Sequence, residues 1–191
     1  IGRLLPQIAY YFHVYSRVSE NSEEVYFSVP SGNFGNAVAG LFARRMGLPI
    51  RLIIAVNEND VFYRFYKTGV NAPAQETHSS PSNSMNVNQP SIMRRLVQIY
   101  HGQLIDGKII REPYMEKLKR EIIAYRISDE ETHEIVHRFY DEPHMIEGGI
   151  HSTIEPHGAV AWGASQRFRK ERGYKGKIVT FETAHPGKFP E

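Results

Sequence analysis

The sequence predicts an α/β fold with a mainly parallel sheet and flanking helices. Two nearly continuous apolar runs, residues 25–29 and Ile50–Val56, have the composition of strands that are buried on both faces of such a sheet. A helix-like segment, residues 36–46, lies between them, and this order of strand, helix and strand forms a right-handed crossover unit. Ligands of these open sheets bind at the carboxyl ends of the strands, so the loops after both runs are candidate sites.

Apolar residues recur at helical spacing at the start of the chain, with no capping residue before them. They are Ile1, Leu4, Leu5, Ile8, Tyr11, Phe12 and Tyr15. This spacing predicts a helix that runs to about Val18. Because the helix has no start signal and the first residue is Ile rather than Met, we expect the chain to be part of a longer protein.

The loop between the first strand and the next helix is rich in glycine: Ser31-Gly32-Asn33-Phe34-Gly35-Asn36. Glycine lets the backbone approach a ligand closely, and the first amides of the helix point outward with the positive end of the dipole behind them. Such a turn suits a phosphate. The alternative is a tight turn that binds nothing, since Gly and Asn are common turn residues. The spacing matches neither the dinucleotide fingerprint nor a P-loop.

The rest of the chain alternates helix-like and strand-like segments. Residues 69–89 are rich in Asn, Pro, Ser, Thr and Gln and predict a long loop. The polar segment 57–60 follows the second strand, so its side chains either face the same crevice as the glycine-rich loop or, at Asp60, cap the next helix. Ser128 followed by Glu131 is a capping box. The predicted helices are Val61–Thr68, 91–100, 112–125, Asp129–Asp141 and 157–172, and strands are predicted within 102–110 and at 177–182.

The composition is that of an ordinary globular protein, with 41% hydrophobic and 23% charged residues. The formal net charge of +2 gives no basic field of the kind that attracts nucleic acid. The absence of Cys excludes disulfides, thiolate chemistry and cysteine metal ligands. No apolar run approaches the roughly 20 residues that cross a bilayer. We therefore expect neither nucleic acid nor a membrane as a partner.

Residues 133–137 match the zinc-protease signature H-E-x-x-H. The buried face of this helix is marked by Ile135, Val136 and Phe139, and the two histidines, His133 and His137, lie more than about 90° away from it. We expect both histidines to face water and predict no metal site. Each of the other candidates is ambiguous between a structural and a catalytic role: His144, His151, His157 and His185.

Several motifs occur in the same order as in threonine synthase, a family of pyridoxal-phosphate enzymes with the tryptophan-synthase-β type of fold. The resemblance spans nearly the whole chain, and its terminal motif T-A-H-P-x-K-F is the most specific. The motifs lie at residues 3–12, 29–36, 46–50, 84–91, 155–157 and 183–189. The chain departs from the family pattern at Asn86, where Asp is usual, and at Gly158, where Thr is common. The roles of those two positions therefore stay open.

The resemblance implies pyridoxal 5′-phosphate as the cofactor and O-phosphohomoserine as the substrate, which is converted with water into threonine and phosphate. By analogy, the cofactor phosphate is held by Ser31, Gly32, Asn33, Phe34, Gly35 and Asn36. Thr183 would place its hydroxyl near the pyridine nitrogen. Substrate candidates are the polar residues Asn86, Asn88 and His157, because polar loop residues near a strand end can converge on a ligand.

In the family, the Schiff-base lysine lies upstream of the phosphate loop, and no lysine from Lys67 to Lys188 has a matching context. The resemblance thus implies that residues 1–191 are part of the large cofactor-binding domain of a cytoplasmic enzyme, with no internal boundary and no catalytic residue of their own. We expect them to be inactive alone. Two alternatives stay open: a serine or threonine dehydratase of the same fold, and a relative that binds ligands without turnover.

Overall fold

The computed structural model describes residue 2 and residues 4–72, 76–141 and 153–189. Its helices are α1 (Leu4–Val18), α2 (Gly35–Arg45), α3 (Val61–Thr68), α4 (Met93–Ile99), α5 (Met115–Glu121), α6 (Asp129–Asp141) and α7 (Pro156–Arg172). Its strands are β1 (Val25–Pro30), β2 (Ile50–Val56), β3 (Gln103–Ile105), β4 (Lys108–Arg111), β5 (Ile122–Arg126) and β6 (Ile178–Thr180). Short 3-10 helices occupy Asn83–Met85 and Pro186–Lys188. None of the helices in these ranges is long and apolar enough to cross a membrane.

Four strands form a parallel sheet in the order β5-β2-β1-β6. Strands β3 and β4 form a separate antiparallel hairpin where the sequence predicts one short strand. Because the four strands of the sheet run in the same direction, their carboxyl ends meet at one edge. The predicted α/β fold with a mainly parallel sheet is confirmed.

Helices cover both faces of this sheet. On one face α1 and α2 pack over β1, where the ring centroids of Tyr11 and Phe27 lie 5.1 Å apart. On the other face α7 packs against the sheet through Val160, Ala164 and Phe168. Strand β1 is buried along its whole length, as its apolar sequence predicts.

Close contact between α1 and α2 holds the first turn of α2. A Cβ atom at Gly40 would lie 2.7 Å from Cζ of Tyr11, so only glycine permits this approach. The Tyr11 hydroxyl donates to Asn36, with its oxygen 3.0 Å from both the carbonyl oxygen and Oδ1. Burial raises the pKa of Tyr11 well above its usual value, so the hydroxyl remains a donor.

One predicted helix is wrong. The segment 112–125 does not continue as a helix, because α5 ends at Glu121 and the next residues form β5 beside β2. Residues 122–125 are all buried in this arrangement. Pairing with β2 buries this apolar run on both faces of the sheet, and that tertiary gain overrides the helical spacing.

The two predicted caps have different outcomes. The capping box is confirmed: Ser128 N donates to Glu131 Oε2 at 2.9 Å, and Glu131 N donates to Ser128 Oγ at 3.2 Å. The predicted Asp60 cap is wrong, since its side chain makes no cap hydrogen bond to α3. Its Oδ1 instead accepts from Arg64 Nε at 2.8 Å, an ion pair one helical turn apart.

Candidate functional site

The glycine-rich loop lies at the carboxyl edge of the sheet, directly after β1. The amide of Ser31 donates to the carbonyl of Ala55 at 2.9 Å and so continues the pairing of β1 with β2. Phe34 has the left-handed conformation, with φ 67°, and its ring is buried against Phe62 at a centroid distance of 4.7 Å. The loop therefore turns sharply into α2 while its aromatic residue is anchored in the core.

The amides of residues 32–37 have no acceptor among the described residues. The first amide of α2 that donates within the helix is that of Val38, to the carbonyl of Phe34 at 2.9 Å. The first turn of α2 also has no acidic residue. This donor set, at the positive end of the helix dipole, suits a phosphate.

The 3-10 helix Asn83–Met85 lies directly against this loop. A Cβ atom at Gly32 would be 2.7 Å from Cα of Met85 and 2.8 Å from the carbonyl oxygen of Ser84. Both neighbours are backbone atoms, which cannot swing aside as a flexible side chain can. Glycine at position 32 is therefore required for the contact between the two segments.

The asparagine side chains of the loop serve local structure. Oδ1 of Asn33 accepts from both N and Oγ of Ser91, each at 3.3 Å. Oδ1 of Asn36 accepts from the Tyr11 hydroxyl. Backbone amides are thus the main donors that the loop offers to a ligand.

The predicted substrate candidate Asn86 lies in a hydrogen-bond network that holds the segment 80–86. Asn57, which is fully buried after β2, donates from Nδ2 to Oγ of Ser82 at 2.9 Å and to Oδ1 of Asn86 at 3.0 Å. Asn86 in turn donates to the carbonyl of Ser80 at 3.1 Å. The other candidate, Asn88, lines a neighbouring cleft of about 160 Å³ with Pro90, Ser91 and Arg94.

His157, the third substrate candidate, is buried and has protein partners on both ring nitrogens. Nε2 accepts from the amide of Ser84 at 3.1 Å. Nδ1 donates to Oε2 of Glu155 at 2.5 Å. The Glu155–His157 pair thus attaches the segment next to Gly32 to the start of α7.

Glu155 lies in one of the motifs of the resembling family, but the sequence indicated no role for it. Its fully buried carboxylate caps α7 by accepting from the amides of His157 at 2.8 Å and Gly158 at 2.9 Å, and it also accepts from the amide of Thr183 at 3.1 Å. Burial acts to raise the pKa of Glu155, but the hydrogen bonds from His157 and Thr183 outweigh it and lower that pKa. The signal in the sequence is an acid immediately before a proline at a helix start.

Thr183 reaches the same edge of the sheet as the glycine-rich loop. The amide of Phe181 donates to the carbonyl of Ser28 at 3.0 Å, which continues the pairing of β6 with β1 beyond Thr180. The Thr183 side chain is exposed, and its hydroxyl bonds to no group in the described ranges. The loop, Asn86, His157 and Thr183 are therefore gathered at one edge, with Asn88 in the adjoining cleft.

Gly158, a departure from the resembling family, leaves room for Glu182. A Cβ atom at Gly158 would lie 2.7 Å from Cγ of Glu182 and 3.0 Å from Cγ1 of Ile154. Burial and the nearby Glu155 carboxylate raise the pKa of Glu182. A larger residue at position 158 would require the Glu182 side chain to move.

The other histidines that the sequence singles out have no hydrogen bond to the glycine-rich loop in the described ranges, or lie outside those ranges. His133 and His137 are exposed on α6, as predicted, and the described residues form no cluster suited to a metal ion. Nδ1 of His185 accepts from the amide of Gly187 at 3.1 Å, which is a local cap. His144 and His151 lie outside the described residues.

A comparison of folds defines the class of protein. The chain is similar to maize serine racemase, with a TM-score of 0.57 and 13% identity, over 97% of this chain and 51% of that one. Identity at this level shows the fold alone. The chain therefore shares the α/β fold of that enzyme, fold type II, with its strand, glycine-rich loop and helix at the carboxyl edge of the sheet.

More similar proteins identify the family. The chain is 34% identical over 204 residues to threonine synthase of Pseudomonas aeruginosa, covering 100% of this chain and 41% of that protein. Yeast threonine synthase has a TM-score of 0.84 and 29% identity, over 98% of this chain and 41% of that one. The chain belongs to the threonine synthase family, and it spans about two fifths of the length of these relatives.

A third relative carries a ligand. The threonine synthase of Brucella melitensis, solved with bound pyridoxal phosphate, has a TM-score of 0.82 and 29% identity, over 98% of this chain and 41% of that one. No general family model matches the chain.

Proposed function

We propose that the protein is a pyridoxal-phosphate-dependent carbon–oxygen lyase that converts O-phosphohomoserine and water into threonine and phosphate. Because the chain spans about two fifths of its relatives, the activity is proposed for the whole protein. The observation that carries the proposal is the row of unpaired amides at residues 32–37, at the edge of the sheet where Thr183 also lies. A cytoplasmic location and a small-molecule substrate are parts of the same proposal.

The residues of this chain fit the cofactor. The glycine-rich loop, Ser31 to Asn36, would hold the phosphate through backbone amides, and the absence of a Cβ at Gly32 keeps the neighbouring segment in contact. When bound, the cofactor supplies an electron sink for the reaction. The free hydroxyl of Thr183 would face the ring nitrogen, where a hydroxyl, unlike a carboxylate, does not hold that nitrogen protonated.

The polar residues around the loop divide into two groups. The Asn86 amide and both nitrogens of His157 are engaged with protein groups, so we assign them the task of positioning the segment 80–86. Asn88, on the wall of the adjoining cleft, is the residue we assign to substrate contact.

The test measures phosphate and threonine formed from O-phosphohomoserine by the full-length protein, with and without added pyridoxal phosphate. We expect both products in equal amounts and only with the cofactor. Thr183→Val should lower kcat by at least about tenfold, while Thr183→Ser, which keeps the hydroxyl, should retain most of it. Ammonia and an oxo acid without threonine, or a pyridoxal absorption band without turnover, would refute the proposal.

A further inference from the structure

A charged residue lies inside the central sheet, at the edge opposite the glycine-rich loop. Arg51 is the second residue of β2, whose other residues are apolar and buried. Its guanidinium lies over the ring of Tyr26 on β1, with Cζ 5.3 Å from the ring centroid, and Nη1 donates to the Tyr26 hydroxyl at 2.7 Å. A cation in such a strand loses hydration, so its remaining donors need acceptors.

The acceptors around Arg51 are incomplete. Nε is buried and has no hydrogen-bond partner in the described part of the chain. The nearest carboxylate, Glu24, is 3.9 Å from Arg51 and is shared with Arg44 at 3.8 Å. With the Glu24 side chain 44% exposed and shared between two arginines, this pair neutralises little of the charge of Arg51.

Further cations surround the same cleft. The cleft has a volume of about 300 Å³. Its polar lining consists of the side chains of Arg51, Lys119, Arg120, Arg172, Tyr26 and Tyr174. No carboxylate is among the described residues that line it. Arg120 has a loose partner, Glu116 at 3.9 Å, and both side chains are exposed, whereas Arg172 has no ion pair in the described ranges. Lys119 lies over the ring of Tyr66 at 5.5 Å.

We propose that this cleft binds a small dianion of the phosphate type, inorganic phosphate or a phosphomonoester. The guanidinium fork of arginine matches tetrahedral oxyanions, and the convergence of four cations without a lining carboxylate gives the cleft a strongly positive potential. The amino ends of β1 and β2 supply Tyr26 and Arg51, and the carboxyl end of α7 supplies Arg172. The site is separate from the carboxyl edge of the sheet and does not depend on the proposed enzymatic function.

The test is equilibrium dialysis of labelled inorganic phosphate against the full-length protein with its bound pyridoxal phosphate, after removal of excess cofactor, which is itself a phosphomonoester. The bound cofactor fills its own phosphate site, and phosphate that binds as a product of the proposed reaction is the same in every variant. Lys119→Gln/Arg172→Gln changes only exposed side chains and so leaves the fold intact. We expect this variant to bind phosphate at least about tenfold more weakly than the unaltered protein. A control, Lys108→Gln/Arg111→Gln, removes the same charge from exposed positions of the β3–β4 hairpin and should bind as the unaltered protein does.

Two results would overturn the proposal. One is equal phosphate affinity in the unaltered protein and in Lys119→Gln/Arg172→Gln. The other is an equal loss of affinity in the control variant, which would mean that net charge rather than this cleft attracts the anion. Arg51→Gln provides an independent arm: it should also weaken binding about tenfold, with thermal unfolding recorded to establish that the variant is folded.

Discussion

Gly32 and Gly35 lie in the same loop but have different surroundings. A Cβ at Gly32 would meet the backbone of Ser84 and Met85 at 2.8 and 2.7 Å. A Cβ at Gly35 would lie 3.4 Å from Oε1 of Gln7, the end of a flexible side chain. The residue type is the same, but only one of the two positions excludes a methyl group. Gly32 is therefore required by close packing, whereas the surroundings of Gly35 leave room for a methyl group.

We expect Gly32→Ala to lower the free energy of unfolding of the full-length protein by about 1–3 kcal/mol, since overpacking against backbone has this effect. Gly35→Ala should change it by less than about 1 kcal/mol, because the neighbouring side chain can move and alanine favours helix. Chemical denaturation of both variants without cofactor measures the difference. Equal destabilisation would contradict the close contact at Gly32.

The buried carboxylate of Glu155 makes stability depend on pH. Its pKa is lowered in the folded protein, so the stability it contributes is present above the unfolded pKa of about 4.3 and is lost as the pH falls through the folded pKa. Glu155→Gln should therefore reduce the free energy of unfolding most above about pH 5, and the difference from the unaltered protein should shrink on acidification.

Denaturation at several pH values between about 3 and 7 measures this profile. Glu134→Gln, which alters an exposed carboxylate on α6, is the matched control and should leave the profile unchanged. A difference between Glu155→Gln and the unaltered protein that stays constant with pH would show that the carboxylate is not held in its charged form.

At the scale of elements, α1 holds the first turn of α2, which borders the candidate site. The Tyr11 hydroxyl is the group that reaches the first turn of α2, at Asn36. Tyr11→Phe should lower the free energy of unfolding by about 1 kcal/mol, the usual contribution of a buried hydrogen bond. Tyr10→Phe removes the same atom from a side chain that is 61% exposed and should have little effect. Similar losses in both variants would argue against this anchor.

Elements whose signal is local could be predicted from the sequence. The apolar runs of β1 and β2, the glycine-rich loop between them and the Ser128–Glu131 box depend on neighbours in the chain, and all are observed. Strand β5 could not be separated from α5, because Ile122 follows the helix without a break and becomes a strand only by pairing with β2. That partner is distant in the sequence, so periodicity carries no signal for it.

At the scale of the whole molecule, the candidate site likewise combines features that depend on neighbours in the chain with features that depend on distant residues. Residues from four parts of the chain meet at the carboxyl edge: the glycine-rich loop, the segment 80–86, Glu155 and Thr183. The loop could be predicted because its glycines, which permit a sharp turn and a close contact, are a local feature of the sequence. The cap that Glu155 forms on α7 has a local signal, but its link to Thr183 could not be predicted, because the amide of Thr183 is distant in sequence.

Binding of the cofactor should stabilise the whole protein through this edge. Pyridoxal phosphate at about 100 times its dissociation constant should raise the free energy of unfolding of the full-length protein by about 2.7 kcal/mol. Pyridoxal at the same concentration should protect less, because the amides of residues 32–37 then have no phosphate to bind. Unfolding curves with each ligand make the comparison, and equal protection would exclude the loop as the phosphate site.

The left-handed conformation of Phe34 fixes the shape of the glycine-rich loop. A non-glycine residue at φ 67° is disfavoured by roughly 1–2 kcal/mol, and here burial of the ring against Phe62 offsets that strain. The turn cannot relax unless the ring leaves the core, so the amides keep their direction whether or not a phosphate is present. As the proposed phosphate site, the loop is preorganised: the entropy of ordering its backbone is lost during folding and does not weaken the affinity for a ligand.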